Sequence, residues 1–236
     1  NLLAAPIELS RVKLSANWMA ACGEAGEDAA LYDTVRAIGL ELCPDLGVSI
    51  PVGKDSLSMR TQWSDAAQER KVVSPVSLIV SAFATLSDVR GTLTPQLNRD
   101  EADTSLLLID LGRGACRMGG SILEQVRAQA GHHSHDLVPD LHDSADLKAL
   151  VNTINDLRAQ GLLMAYHDRS DGGLLAAVAE MALAGQVGVA LNVDLLVQEG
   201  DGITDSRADH GDAKNWTQQM SVRRDELTLR ALFNEE

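Results

Sequence analysis

Two carboxylates, a hydroxyl and a pair of glycines fall within six consecutive residues, Asp168-Arg169-Ser170-Asp171-Gly172-Gly173. His167 and an apolar, strand-like stretch, Leu162-Leu163-Met164-Ala165-Tyr166, lead into them, and a helix-like stretch, Leu174 to Ala184, leads out. A strand-to-helix turn that carries carboxylate oxygen suits a hard cation such as Mg²⁺. The free N–H groups at a helix start suit phosphate. The same residues also fit a purely structural purpose, with Asp171 capping the helix and the glycines making the turn. Local pattern alone leaves both readings open.

Other groups carry weaker chemistry. Gly53-Lys54-Asp55-Ser56 has the look of a phosphate loop, but its leading glycine would fall at Val48, and Asp55 stands where Ser or Thr is required. It reads as a polar loop projecting from a strand end into a cleft or as an exposed turn. Gly112, Gly114, Gly119 and Gly120 lie between a strand and a helix, yet Arg117 occupies the third glycine position of a dinucleotide fingerprint, so that fingerprint is broken. His132, His133, His135 and Asp136 could ligate a transition metal, but they lack helical spacing and read as a solvated loop. Ser10, Ser56 and Ser121 lack the Gly-x-Ser-x-Gly frame of a hydrolase elbow.

The elements that must position these residues alternate between strand and helix. Val12 to Met19 reads as a strand, and Gly23 to Gly26 as a break. Glu27 to Leu42 reads as a helix carrying Leu31, Val35, Ile38 and Leu42 on one face and stopping near Cys43-Pro44. A short strand, Val48 to Ile50, ends at Pro51, and an extended stretch runs from Leu57 to Trp63. Val72 to Thr85 reads as a buried strand. The polar run Thr94 to Thr104 marks a domain boundary. Beyond it the pattern predicts a strand (Ser105 to Leu111), a glycine-rich loop, and helices over Ser121 to Ala130 and Asp143 to Gln160. The central strand, the helix to Ala184, a strand over Gln186 to Val193 and a final helix over Arg223 to Phe233 follow. Gln198 to Gln219, polar and acidic, reads as a mobile surface insertion. The class is α/β or α+β, with no internal repeat.

Composition bounds the function. Hydrophobic residues make up 45% and charged residues 23% of 236, which suits a soluble globular chain. A net charge of −14 repels nucleic acid and anionic lipid, so neither is an expected partner. Cys22, Cys43 and Cys116 are few, odd in number and widely spaced, which argues against a disulfide framework or a zinc site and fits a reducing cytoplasm. No apolar run reaches the roughly 18 residues of a membrane helix. The chain lacks an initiator Met and ends within a helix-like segment, as expected of a piece of a longer protein.

Six stretches carry a family resemblance: Arg11 to Ala21 (RVKLSANWMAA), Gly26 to Asp33 (GEDAALYD), Ile50 to Met59 (IPVGKDSLSM), Leu93 to Leu97 (LTPQL), His167 to Leu174 (HDRSDGGL) and Leu232 to Glu236 (LFNEE). In this order, through nearly the whole chain, they resemble phosphoribosylformylglycinamidine synthase in its long single-chain form. The resemblance implies an ATP- and glutamine-dependent amidoligase of de novo purine biosynthesis. Such an enzyme converts formylglycinamide ribonucleotide to the amidine by activating the amide oxygen with ATP and displacing phosphate with ammonia.

The matching part is the second half of the synthetase core. It implies part of an aminoimidazole-ribonucleotide-synthase-like, barrel-forming N-terminal domain over residues 1–100, followed by an α/β C-terminal domain over 101–236. In this half the family holds an auxiliary ADP with Mg²⁺. By resemblance Asp168 and Asn1 are metal ligands, with a one-residue gap near Asn1, and Ser170, Gly172 and Gly173 contact the nucleotide. Asp171 keeps its capping role. Two further acidic ligands are expected upstream of residue 1, and no catalytic residue is implied. The expected partners are the first synthetase half and the glutaminase domain of the parent polypeptide, together with the nucleotide. The piece alone is expected to lack turnover and to self-associate through strand edges normally paired in a shared barrel. A different reading, from the turn alone, is a metal-dependent phosphate-ester hydrolase built on Asp168 and Asp171.

Overall fold

The computed structural model describes all residues except 66, 67, 102, 134 and 198–223; the acidic insertion expected over Gln198 to Gln219 lies outside the described residues. The strand expected near Val12 forms as β1 (Lys13–Met19). It pairs in parallel with β2 (Ser49–Ser56) and antiparallel with β5 (Ser77–Phe83), giving a sheet in the order β2-β1-β5. β3 (Arg60–Asp65) and β4 (Gln68–Val73) form a separate antiparallel ladder.

Three expectations need correction here. β2 does not stop at Pro51 but runs on through Gly53-Lys54-Asp55-Ser56, so this stretch is strand and not a projecting loop. The pairing steps from Lys13↔Ser49 to Ser15↔Val52, which leaves Ile50 and Pro51 in a bulge. A proline without an N–H is accommodated there, on an edge strand. The stretch expected as one buried strand over Val72 to Thr85 is divided between β4 and β5, and it is exposed: Ile79 at 56% and Phe83 at 61%. Among the described residues β5 is an edge strand, and of its apolar side chains Leu78 is half-buried while Ile79, Val80 and Phe83 are exposed.

The helix expected over Glu27 to Leu42 starts on time but changes character. α1 (Glu27–Arg36) passes into a π-helical turn, Ala37–Leu42, and then into α2 (Cys43–Leu46), which contains Pro44. The proline therefore ends nothing. It sits where the π-helical turn gives way to an α segment, and the helical run continues past it. Gly47, left-handed at φ 71°, is the real stop, its N–H returning to Pro44 O at 3.1 Å.

The chain divides into two compact units. One comprises Leu2–Thr92 with Asp143–Leu162; the other comprises Leu93–His142, Leu163–Glu236 and Asn1. In the first, Ile7, Val12, Ala16, Ala20, Ala21 and Cys43 are buried, as are Val151 and Ile154 on one face of α4 (Ser144–Ala159). Asp143 caps that helix, its carboxylate accepting from Ala145 N at 2.8 Å. Asn155 and Arg158 of α4 donate to the carbonyls of Ile7 and Leu3, which ties this helix to the N-terminal elements.

In the second unit α3 (Ile122–Gln129) and α5 (Gly173–Gly185) form as expected, and residues 224–233 are helical (α6). The three strands expected over Ser105 to Leu111, Leu162 to Tyr166 and Gln186 to Val193 do not form ladders. Leu107, 77% exposed, shows why: an apolar run becomes a strand only when another backbone takes its hydrogen bonds. Helices and small sheets together make the chain an α+β protein.

Candidate functional site

The 168–173 turn lies wholly in the second unit, and so does Asn1. Asp168, 25% exposed at its side chain, places Oδ2 2.7 Å from the Asn1 α-ammonium. That contact is made by the Asn1 backbone nitrogen; the Asn1 side chain is fully exposed. Ser170 is exposed, and its carbonyl accepts from Gly173 N at 2.8 Å. On the flanks, His167 Nε2 meets Glu180 Oε2 at 2.5 Å, and the largely buried Arg169 guanidinium lies 3.6 Å from Asp110. Asp110 in turn accepts from Gly112 N and Gly114 N at 2.9 and 2.7 Å, which shapes the glycine-rich loop.

Asp171 does not cap α5. The N-cap is Gly172, left-handed at φ 87° and without a side-chain cap; Asp171 is exposed. A turn through two positive-φ glycines, Gly172 and Gly173, carries the Asp171 carboxylate past the position from which it would reach the first free amides. Those amides go elsewhere in the chain. Gly172 N donates to Glu235 Oε1 at 2.9 Å, and Gly173 N to Ser170 O. At Gly173 an added Cβ would stand 2.7 Å from the carbonyl oxygens of Leu232 and Asn234. The close backbone approach that Gly173 permits is that of residues 232–234; at Gly172 an added Cβ would meet Ala176 Cβ at 2.8 Å.

Sequence reasoning gave no role to the two acids that end the resemblance run. Glu235 Oε1 also accepts from Ile122 N at 2.9 Å, so one oxygen serves the first amides of both α3 and α5. Glu236 accepts from Arg117 N at 3.0 Å, pairs with the Arg117 guanidinium and fills the space beside Gly112. The glycine-rich loop thus closes around a carboxylate of its own chain. The one signal available was the adjacency of two acids to an asparagine in a helix-terminal run, and that does not reveal a partner more than 60 residues upstream.

Other candidates are dispersed. His132, His133 and His135 are exposed, and Asp136 pairs with Arg230 at 2.5 Å, which raises the guanidinium pKa further. Among the described residues no group of three or more His, Cys, Asp or Glu side chains is placed to hold a metal. Lys54 donates to Ser56 Oγ at 2.8 Å within β2. Burial pushes the Cys116 and Cys43 thiols up, and desolvation with a hydrogen bond to Asp28 does the same at Cys22, so none is poised as a thiolate. No helix among the described residues is long and apolar enough to cross a membrane.

The donor set at Asp168 fits Mg²⁺ in kind. The Asp168 carboxylate, 25% exposed on the turn that leads into α5, supplies hard oxygen. Mg²⁺ is commonly held by one or two such groups, with phosphate and water completing its shell.

Residues 1–85 match the FGAR-AT PurM_N-like domain, and residues 106–213 match the C-terminal domain of AIR-synthase-related proteins. This succession defines the class of AIR-synthase-like proteins, ATP-using enzymes of purine biosynthesis. Within that class the chain belongs to the phosphoribosylformylglycinamidine synthase family.

Proposed function

We propose that the chain serves in the ATP- and glutamine-dependent conversion of formylglycinamide ribonucleotide to its amidine, as the nucleotide-holding half of a synthetase core in the cytoplasm. Asp168 and Asn1 hold Mg²⁺ by their oxygens, and the exposed Ser170 hydroxyl contacts the phosphates of ADP or ATP. Gly173 contributes by letting residues 232–234 seat the turn, and Gly172 by the left-handed backbone with which it opens α5. Bound Mg²⁺ would neutralise phosphate charge. The other synthetase half and the glutaminase domain are its partners, and the isolated chain has no turnover.

The observation that carries this reading is the place of the Asp168 carboxylate, 25% exposed, beside the exposed Ser170 on the turn that leads into α5. Calorimetric titration with ADP, with and without Mg²⁺, tests it. Mg²⁺-dependent binding should fall at least about tenfold in Asp168→Ala, as expected for loss of a charged ligand. Binding indifferent to both Mg²⁺ and Asp168 sinks the assignment. ATP- and ammonia-dependent amidine formation by the isolated chain would contradict the absence of turnover.

A further inference from the structure

We propose that Glu235 is a positioning residue whose carboxylate acts as a built-in anion, tying the N-termini of α3 and α5 together and so holding the turn that presents Asp168 and Ser170. The part concerning Asp168 and Ser170 rests on the proposed function; the tie itself does not.

α5 has no means of its own to finish its N-terminus. It lacks a capping side chain and has no acid in its first turn, and it begins with two left-handed glycines, a conformation that free chain has little reason to hold. Ser121 caps α3 through Glu124 N, which leaves the Ile122 amide for another acceptor. Glu235 Oε1 accepts from both Ile122 N and Gly172 N, each at 2.9 Å. One carboxylate oxygen has lone pairs for two donors. The charges also match: two helix N-termini carry about half a positive charge each, against one negative charge on the carboxylate.

Glu235 is itself held. Its neighbour Asn234 is buried, and the Asn234 side chain donates to Arg230 O at 2.5 Å and accepts from Glu236 N at 3.4 Å. The backbone just before it, at Leu232, Phe233 and Asn234, packs against Gly173, where a methyl group has no room. The carboxylate is thus fixed from α6, and the two helix starts are referred to it.

Hydrogen exchange at the Ile122 and Gly172 amides, read by NMR in Glu235→Gln and Glu235→Gly, tests the tie. Protection should fall at both amides together by about ten- to a hundredfold, as expected for loss of a charge-assisted bond. In Glu235→Gly, sodium acetate should restore both in a saturable way that sodium chloride at equal ionic strength does not, a rescue that mere packing would not show. Unchanged protection, loss at one amide alone, or acetate acting no better than chloride overturns the proposal. If Glu235→Gly does not fold, Glu235→Gln decides: loss centred on the two amides supports the tie, and uniform loss or none overturns it. Asp168→Ala should leave both amides protected. Mg²⁺–ADP binding that ignores Asp168 would therefore remove the site reading and leave the tie standing, while unprotected amides in the native chain would do the reverse.

Discussion

Gly173 shows how one residue can be fixed by its neighbours and not by its own preference. Its φ of 68° disfavours any side chain, and the backbone of residues 232–234 stands 2.7 Å from where a Cβ would be. Gly131 has a similar φ of 86° but nothing within 4 Å of the same point. The two positions separate conformational cost from steric cost. Gly131→Ala should lose only about 1–2 kcal/mol, the price of a left-handed L-residue. Gly173→Ala should lose more, about 3–4 kcal/mol, because backbone must move as well. Urea unfolding of both variants measures the difference, and equal losses would mean that residues 232–234 do not press on Gly173 as described. The contrast also bears on the candidate site. A Gly-Gly pair after Ser-Asp reads naturally as room for a phosphate, since sequence shows only that a side chain is missing. What fills the room comes from residues about sixty positions away, which no local motif specifies.

At the scale of elements, the helices were legible where their ends carry their own signals. Asp143 opens α4 and Ser121 opens α3, both as the side-chain chemistry of caps requires. Asp143→Ala should lower stability by about 1 kcal/mol, while Asp143→Asn, which keeps an acceptor for Ala145 N, should lose far less. Thermal unfolding of the two variants checks this, and identical midpoints would show that the cap contributes nothing. α5 was legible as a helix, but its cap was not, because the anion at its start comes from Glu235 and not from Asp171. Strands were harder for the same reason. Leu106 to Ile109 have strand composition, yet a ladder depends on a second backbone that composition does not name. Pro51 misled in the opposite direction: it ends most strands, but the bulge between Lys13↔Ser49 and Ser15↔Val52 lets β2 continue. Asp168 and Ser170 were singled out by the resemblance run His167 to Leu174, and Asn1 only by its place upstream of the first run; no periodicity or spacing marks any of the three.

At the scale of the molecule, two influences compete over whether copies associate. Among the described residues β2 and β5 are the two edges of the three-stranded sheet, and Ile79, Val80 and Phe83 of β5 are exposed. Unpaired edges with exposed apolar side chains favour pairing with another copy. A net charge of −14 opposes it, since like-charged chains repel at a distance. The repulsion is screened over about 8–10 Å at physiological salt, whereas edge pairing and apolar burial act at contact and are not screened. Salt therefore removes the opposing influence and leaves the favourable one. The chain should be mainly monomeric at low ionic strength and should associate as sodium chloride is raised, with sedimentation velocity reading the shift. Ile79→Lys, which places a charge on β5 while leaving its pairing with Asn17 available, should weaken the association by at least about tenfold. Association that weakens with salt would assign it to opposite charges between copies. A monomer at every salt concentration would show that these edges do not self-pair.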